Sequence, residues 1–278
     1  MHLFLSLIIF LFLSGCTSLS TNISSNKAVD NPTNSEKTKQ IELDDGSTLI
    51  KYFDDNGNLK AEAIYKNNLL NGISKSYYDN GMIYQEISFK NGETNGLSKT
   101  YNNDNESMLL KEANYIDGKL NGLVKEYGTQ EYGEMTIVLM SELNYIDDIK
   151  IGTQKQYFDS GELKELCKIS KDPENNELSI CSTYWGLSGR GVPKETCEYL
   201  NGKKHGKCQE HYFDGSNGNF CEYLDGKKNG KCTSSEFINF EGQKLYYRYI
   251  DTYTDDVLVN RKTYDRTGML TADNNFEH

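Results

Sequence analysis

Cys197-Glu-Tyr-Leu-Asn-Gly-Lys-Lys-His-Gly-Lys-Cys208 returns 24 residues later as Cys221-Glu-Tyr-Leu-Asp-Gly-Lys-Lys-Asn-Gly-Lys-Cys232, with two positions changed. A repeat with a period in the twenties points to a solenoid or array rather than a compact globule. Weaker copies keep one rule, an aromatic residue followed seven positions on by a glycine. They are Tyr65/Gly72, Phe89/Gly96, Tyr115/Gly122, Tyr145/Gly152, Tyr199/Gly206 and Tyr223/Gly230. Four copies add a tyrosine five residues after the glycine: Tyr77, Tyr101, Tyr127 and Tyr157.

Each copy reads as a β-hairpin, because Asn-Gly or Asp-Gly between short runs of Tyr, Leu and Ile is a strong hairpin signal. A turn centred between Gly202 and Lys203 makes residues whose numbers sum to 405 face each other. Tyr199 then opposes Gly206, where its ring can cover the bare backbone, and Cys197 opposes Cys208. A second kind of turn recurs at Tyr52-Phe-Asp-Asp-Asn-Gly57, Tyr77-Tyr-Asp-Asn-Gly81, Tyr157-Phe-Asp-Ser-Gly161 and Tyr212-Phe-Asp-Gly215. Two alternating turns predict an all-β fold, an elongated single-layer antiparallel meander.

The pattern Tyr-x-Asn/Asp-Gly-x-x-Asn/His-Gly-x-x-x-x-Tyr resembles the MORN repeat, in the bacterial variant found in lipoproteins and antitoxins. The resemblance covers residues 50–158 and 196–240. It departs from the pattern at Asp148, which replaces a glycine, and at Ser235, where a tyrosine is expected. It implies a binding or scaffolding surface and leaves the partner open, since such repeats serve on many unrelated proteins.

Along the chain, residues 3–13 are an apolar run too short for a spanning helix of about 20 residues, and match the core of a secretory leader. Leu13-Ser14-Gly15-Cys16 follows and resembles a lipobox, so residues 1–15 are expected to be removed and Cys16 acylated. Thr17 after the cysteine, where aspartate would favour inner-membrane retention, implies by family analogy an outer-membrane address. Residues 16–40, rich in Ser, Thr, Asn and Lys and lacking aromatics after Cys16, read as a flexible tether. Repeats are expected over 41–158 and 196–278, the last part capping the array. Residues 159–195 break the rhythm and hold the lone tryptophan, Trp185, either in a degenerate repeat or as the anchor of a binding loop.

No catalytic constellation is visible. The mature part has three histidines, His205, His211 and His278, and His205-x-x-Cys208-x-x-His211 places its members on opposite faces of a regular strand. The Asp-Asp-Asn-Gly clusters lack the ligand spacing of a calcium loop and read as turns. No enzyme activity, cofactor or metal is therefore expected. A formal charge of −11 disfavours nucleic acid and anionic lipid headgroups. Lys203-Lys204 and Lys227-Lys228 are read as solvated turn charges. The expected partner is another protein, with Tyr77, Tyr101, Tyr127, Tyr157 and Trp185 as candidate contacts. The same tyrosines can equally serve to cover the sheet. A narrower alternative is an immunity lipoprotein that neutralises one toxin.

With Cys16 assigned to lipid, six cysteines remain: Cys167, Cys181, Cys197, Cys208, Cys221 and Cys232. Export into an oxidising compartment favours disulfides. The hairpin register pairs Cys197 with Cys208 and Cys221 with Cys232, leaving Cys167 with Cys181 across the Asp172-Pro173 loop. Cys208–Cys221 is a competitor, because those strands are also neighbours.

Overall fold

A computed structural model describes residues 37–103, 108–132, 134–186 and 191–276. The leader, Cys16 and the tether up to residue 36 lie outside these residues. Among the described residues the only regular structure is β-strand. The first seven strands are β1 (Thr38–Glu42), β2 (Thr48–Phe53), β3 (Leu59–Lys66), β4 (Leu69–Leu70), β5 (Gly72–Tyr77), β6 (Ile83–Lys90) and β7 (Glu93–Tyr101). There follow β8 (Leu109–Ile116), β9 (Lys119–Leu120), β10 (Gly122–Tyr132), β11 (Glu134–Ile146), β12 (Ile149–Lys150), β13 (Gly152–Tyr157), β14 (Leu163–Lys171) and β15 (Glu177–Tyr184). The last are β16 (Pro193–Leu200), β17 (Lys203–His211), β18 (Asn217–Leu224), β19 (Lys227–Phe240), β20 (Gln243–Thr254), β21 (Val257–Tyr264) and β22 (Leu270–Asn275).

The chain forms two units, one holding β1 to β7 with Tyr115–Lys119, the other Met108–Asn114 and everything from Leu120 on. Within each, the ladders join strands close together in the chain, all antiparallel, so the expected meander is what forms. Three boundaries differ from expectation. Thr38 to Gln40, placed in the tether by the sequence, form a strand with Ile41 and Glu42 because they find an edge to pair with on β2. Residues 159–195 hold β14, β15 and the start of β16 rather than an irregular stretch. The tail, expected as a cap, continues the hairpins through β20, β21 and β22.

Two turn chemistries explain the alternation. The short turns place two residues at positive φ, as in Asn201 and Gly202 (49° and 76°) or Asp147 and Asp148 (49° and 67°). That is the type I′ geometry, matched to the strands' twist, and it accepts Asn and Asp where Gly is absent. The longer turns begin at an aspartate whose carboxylate accepts backbone N–H groups: Asp54 from Asn56 and Asn58, Asp172 from Glu174 and Asn176, and Asp265 from Thr267 and Met269. These bonds hold the Asp54 carboxyl down near 2, the Asn58 side chain contributing most.

The hairpin register corrects the one expected from sequence. The turn is centred on Asn201-Gly202, so Leu200 faces Lys203 and Tyr199 faces Lys204, not Gly206. A bulge then inserts two residues, after which Cys197 does oppose Cys208. Gly206 instead faces Tyr223 of the next hairpin, as Gly230 faces Tyr253, Gly72 faces Phe89 and Gly122 faces Tyr145. The aromatic-to-glycine pairing is real, but it stitches one repeat to the next.

Side chains alternate between two faces. One bears a row of small or apolar groups, Ala63, Ser74, Ile87 and Ser98 in the first unit, each at most 8% exposed. They lie between aromatic residues of the same face, among them Tyr52 and Tyr65, whose hydroxyls meet at 3.2 Å. In the second unit the same repeat positions hold Ala113, Val124 and Gln154, and then the cysteines.

Candidate functional site

In each unit the opposite face carries two of the four tyrosines that the sequence singles out, Tyr77 and Tyr101 in the first and Tyr127 and Tyr157 in the second, each in the same setting. Across the first unit Lys51, Glu62, Lys75, Glu86 and Lys99 are successive cross-strand partners. In the second unit the row is Glu112, Lys125, Glu142 and Lys155. Lys51 lies 3.3 Å from Glu62, Lys75 3.2 Å from Glu86, and Lys155 3.0 Å from Glu142. Opposite charges directly across a ladder stabilise the pairing, so the row fixes register as well as face.

Every one of these tyrosines donates its hydroxyl to a glutamate fifteen residues earlier. Tyr77 reaches Glu62 at 2.8 Å, Tyr101 reaches Glu86 at 2.9 Å, Tyr127 reaches Glu112 at 3.5 Å and Tyr157 reaches Glu142 at 2.8 Å. Burial, reinforced by the carboxylate, pushes the Tyr77, Tyr127 and Tyr157 phenols above their ordinary value. The Lys155 ammonium, and then the Tyr157 hydroxyl, hold the Glu142 carboxyl below its own. The rings are therefore half-buried and fixed in place. Apolar contact area on this face comes from exposed neighbours in the same strands, Ile73 and Leu97, 51% and 40% exposed.

At the type I′ turns a second regularity appears. The residue before three of the repeat glycines reaches the first residue of the next turn: Asn71 to Asn91 at 3.4 Å, Asn95 to Asp117 at 2.9 Å and Asn121 to Asp147 at 3.4 Å. Backbone N–H groups link the same turns, Gly92 to Leu70 and Gly226 to Lys204 among them. His205 stands at this position and lies 3.6 Å from Asp225, too long for a hydrogen bond and an ion pair only when protonated. Its role is thus a turn contact. It shares no metal site with Cys208, which is bridged to Cys197.

Residues 49–67 and 70–91 match the MORN repeat variant family. The two matched segments run from β2 to the turn after β3 and from the end of β4 to the turn after β6, each centred on a long aspartate or asparagine turn. The MORN unit is thus the hairpin around the longer turn, and the motif conspicuous in the sequence straddles the junction between two units. No curated protein matches this chain.

Trp185 is not an exposed anchor. It is half-buried in an open depression of about 620 Å³ with Phe158, Tyr184, Lys194, Glu195 and Tyr212. Lys194 sits 5.0 Å from its ring centroid, and Gly186 leaves room for the Phe158 ring. The turn lysines are also engaged: Lys204 packs over Tyr223 and pairs with Glu195, and Lys228 packs over Tyr253. All three expected disulfides are present, Cys167–Cys181, Cys197–Cys208 and Cys221–Cys232, on the small-residue face. Glu165 stands beside the first pair and Glu195 beside the second. The sulfurs are bonded to one another, which leaves no thiolate for a metal.

The sequence reading overlooked the position just before five of the six repeat aromatics. There Ser88, Asn114 and Asn144 donate to the backbone carbonyls of Leu97, Leu123 and Thr153, while Glu198 and Glu222 accept from the N–H groups of Lys207 and Lys231. Each fastens the bulge that carries the repeat glycine. The signal was legible as a polar residue recurring nine positions before its partner.

Proposed function

We propose that this chain is a non-catalytic lipoprotein of the bacterial envelope whose MORN-type sheet binds or scaffolds another protein. The observation that carries the reading is the face on which Tyr, Glu and Lys recur in one register, with exposed Ile73 and Leu97 beside them. A surface whose polar groups are already paired loses little in rigidity when covered, and flat pre-organised surfaces lower the ordering cost of association. Exposed aliphatic residues among fixed aromatics supply the apolar centre, and the charges supply a rim. The same fixed phenols make the sheet a support for binding rather than a place where chemistry occurs.

Ile73→Lys with Leu97→Lys is the test of this face. Both residues are exposed, so circular dichroism and melting should hold, while capture of envelope proteins by the purified chain should fall at least about tenfold, some 1.4 kcal/mol. Capture unchanged by the double variant would move the site elsewhere. The anchor is tested separately. Cys16→Ala should abolish labelling by a fatty-acid probe and release the protein from membranes, since two or more acyl chains make anchoring stable. A wild-type protein that takes up no label refutes the lipoprotein part alone.

A further inference from the structure

The six cysteines of the second unit do more than form three separate pairs. In the ladder register Cys167 faces Cys181, Cys181 faces Cys197, Cys197 faces Cys208, Cys208 faces Cys221 and Cys221 faces Cys232. They occupy one unbroken row across six consecutive strands, β14 to β19, on one face. The disulfides close only alternate steps of that row.

Geometry separates the two kinds of step. Bridged partners have Cα atoms 4.0 to 4.1 Å apart, the close spacing of non-hydrogen-bonded antiparallel pairs. A residue paired this way on one side is hydrogen-bonded to its neighbour on the other. Cys181 and Cys197, and likewise Cys208 and Cys221, are therefore spaced by about 5.5 Å, still inside the range of about 4.4–6.8 Å that a disulfide spans. Each unbridged step is thus a permitted bridge that is not in use.

We propose that the row is a thiol–disulfide exchange relay, in which an external thiolate enters at Cys167 and a thiol emerges at Cys232. The entering sulfur bonds to Cys167 Sγ and expels Cys181 as thiolate. Cys181 attacks Cys197 and expels Cys208; Cys208 attacks Cys221 and expels Cys232, which takes up a proton. Every step forms one S–S bond and breaks one, so no oxidant or reductant is consumed beyond the external thiol. The displacement covers five strand spacings, roughly 24 Å, without movement of the backbone. Entry at Cys167 follows from burial. Of the two ends of the row Cys167 is half-buried and Cys232 only 8% exposed, and the central pair is closed off, with Cys197 at 1% and Cys208 at 5%. The thiol released at the far end, on Cys232, is thus internal, and the substrate class is a thiol able to reach the Cys167–Cys181 end.

The experiment uses the oxidised full-length chain and substoichiometric glutathione, near the ordinary thiol pKa of about 8.5. After acid quenching, free thiols are alkylated and the peptides mapped without reduction, which reports Cys16 separately. The completed relay gives glutathione on Cys167, alkyl label on Cys232, and new Cys181–Cys197 and Cys208–Cys221 links. Label confined to Cys181 with the other two disulfides intact overturns it, as does failure of glutathione to join Cys167. The double variant Cys197→Ala/Cys208→Ala breaks the path with a residue that equivalent repeat positions already hold, buried, at Ala63 and Ala113. Label at Cys232 should then fall to background; its persistence would mean that exchange bypasses the row.

Discussion

Gly206 shows how much one position in this repeat has to satisfy. Its φ is +95°, and a β-carbon placed there would lie 2.2 Å from Glu198 Oε2, the oxygen that accepts the Lys207 N–H at 2.8 Å. Gly206→Ala therefore meets both a disfavoured backbone region and a fastened side chain, and should cost about 1–3 kcal/mol in chemical denaturation. Gly202, four residues earlier, sits at the second position of a type I′ turn, where Asp148 and Asp256 adopt φ of 67° and 70°. Gly202→Asn should accordingly stay within about 0.5 kcal/mol of the wild type. His205→Asn makes the third comparison. Asn71, Asn95 and Asn121 at its position bond the next turn at 2.9 to 3.4 Å, against 3.6 Å for the histidine, so this variant should melt no lower than the parent. A large loss would show that His205 has a task beyond the turn.

At the level of the hairpin, turns were easier to read than registers. Asn201-Gly202 and Asp225-Gly226 announced their turn type because only a few residues tolerate two successive positive φ values. The facing of Tyr199 and Gly206 was misjudged because a bulge obeys no local rule of composition, and the glycine that permits it resembles a turn glycine. Disulfide partners were legible all the same, since the bulge restores at Cys197 and Cys208 the offset that the turn removes. Tyr77, Tyr101, Tyr127 and Tyr157 were visible as a period, but their glutamate partners fifteen residues back were hidden among 41 acidic residues. Trp185 was left between a degenerate repeat and a binding loop, because rarity in the sequence says nothing about the Phe158 and Lys194 that flank it. A stability consequence belongs to this scale. Opening Cys197–Cys208 as the Ala/Ala pair should cost roughly 3 kcal/mol in the chain-entropy view of a short loop. Urea titrations of variant and parent under non-reducing conditions would check it.

For the molecule as a whole, the repeated phenols and carboxylates set a pH window. Tyr77, Tyr127 and Tyr157 have raised values, so the folded state prefers them protonated. Their contribution is complete below the ordinary phenol value of about 10 and is lost as pH rises through the folded values. Glu142 and Glu126 are lowered, each first by its lysine; their contribution is present above the ordinary carboxyl value and fades as pH falls through the folded ones. Melting temperature should hence hold a plateau between about pH 5 and 9, and tyrosinate absorbance in alkali should rise together with the loss of β-type circular dichroism. Tyrosines that ionise fully while the circular dichroism holds would contradict the phenol pairing. The ladders have one more consequence, which concerns time rather than strength. Each joins strands near in the chain, and no described pairing waits for a distant segment to arrive. All-β domains usually fold slowly because their contacts are remote in sequence, and rates fall as that separation grows. Here the elementary event is hairpin closure, on the order of 1–10 μs, and growth proceeds by adding neighbours. With its disulfides kept intact, this chain should refold from urea at a speed closer to that of helical bundles than of β-sandwiches.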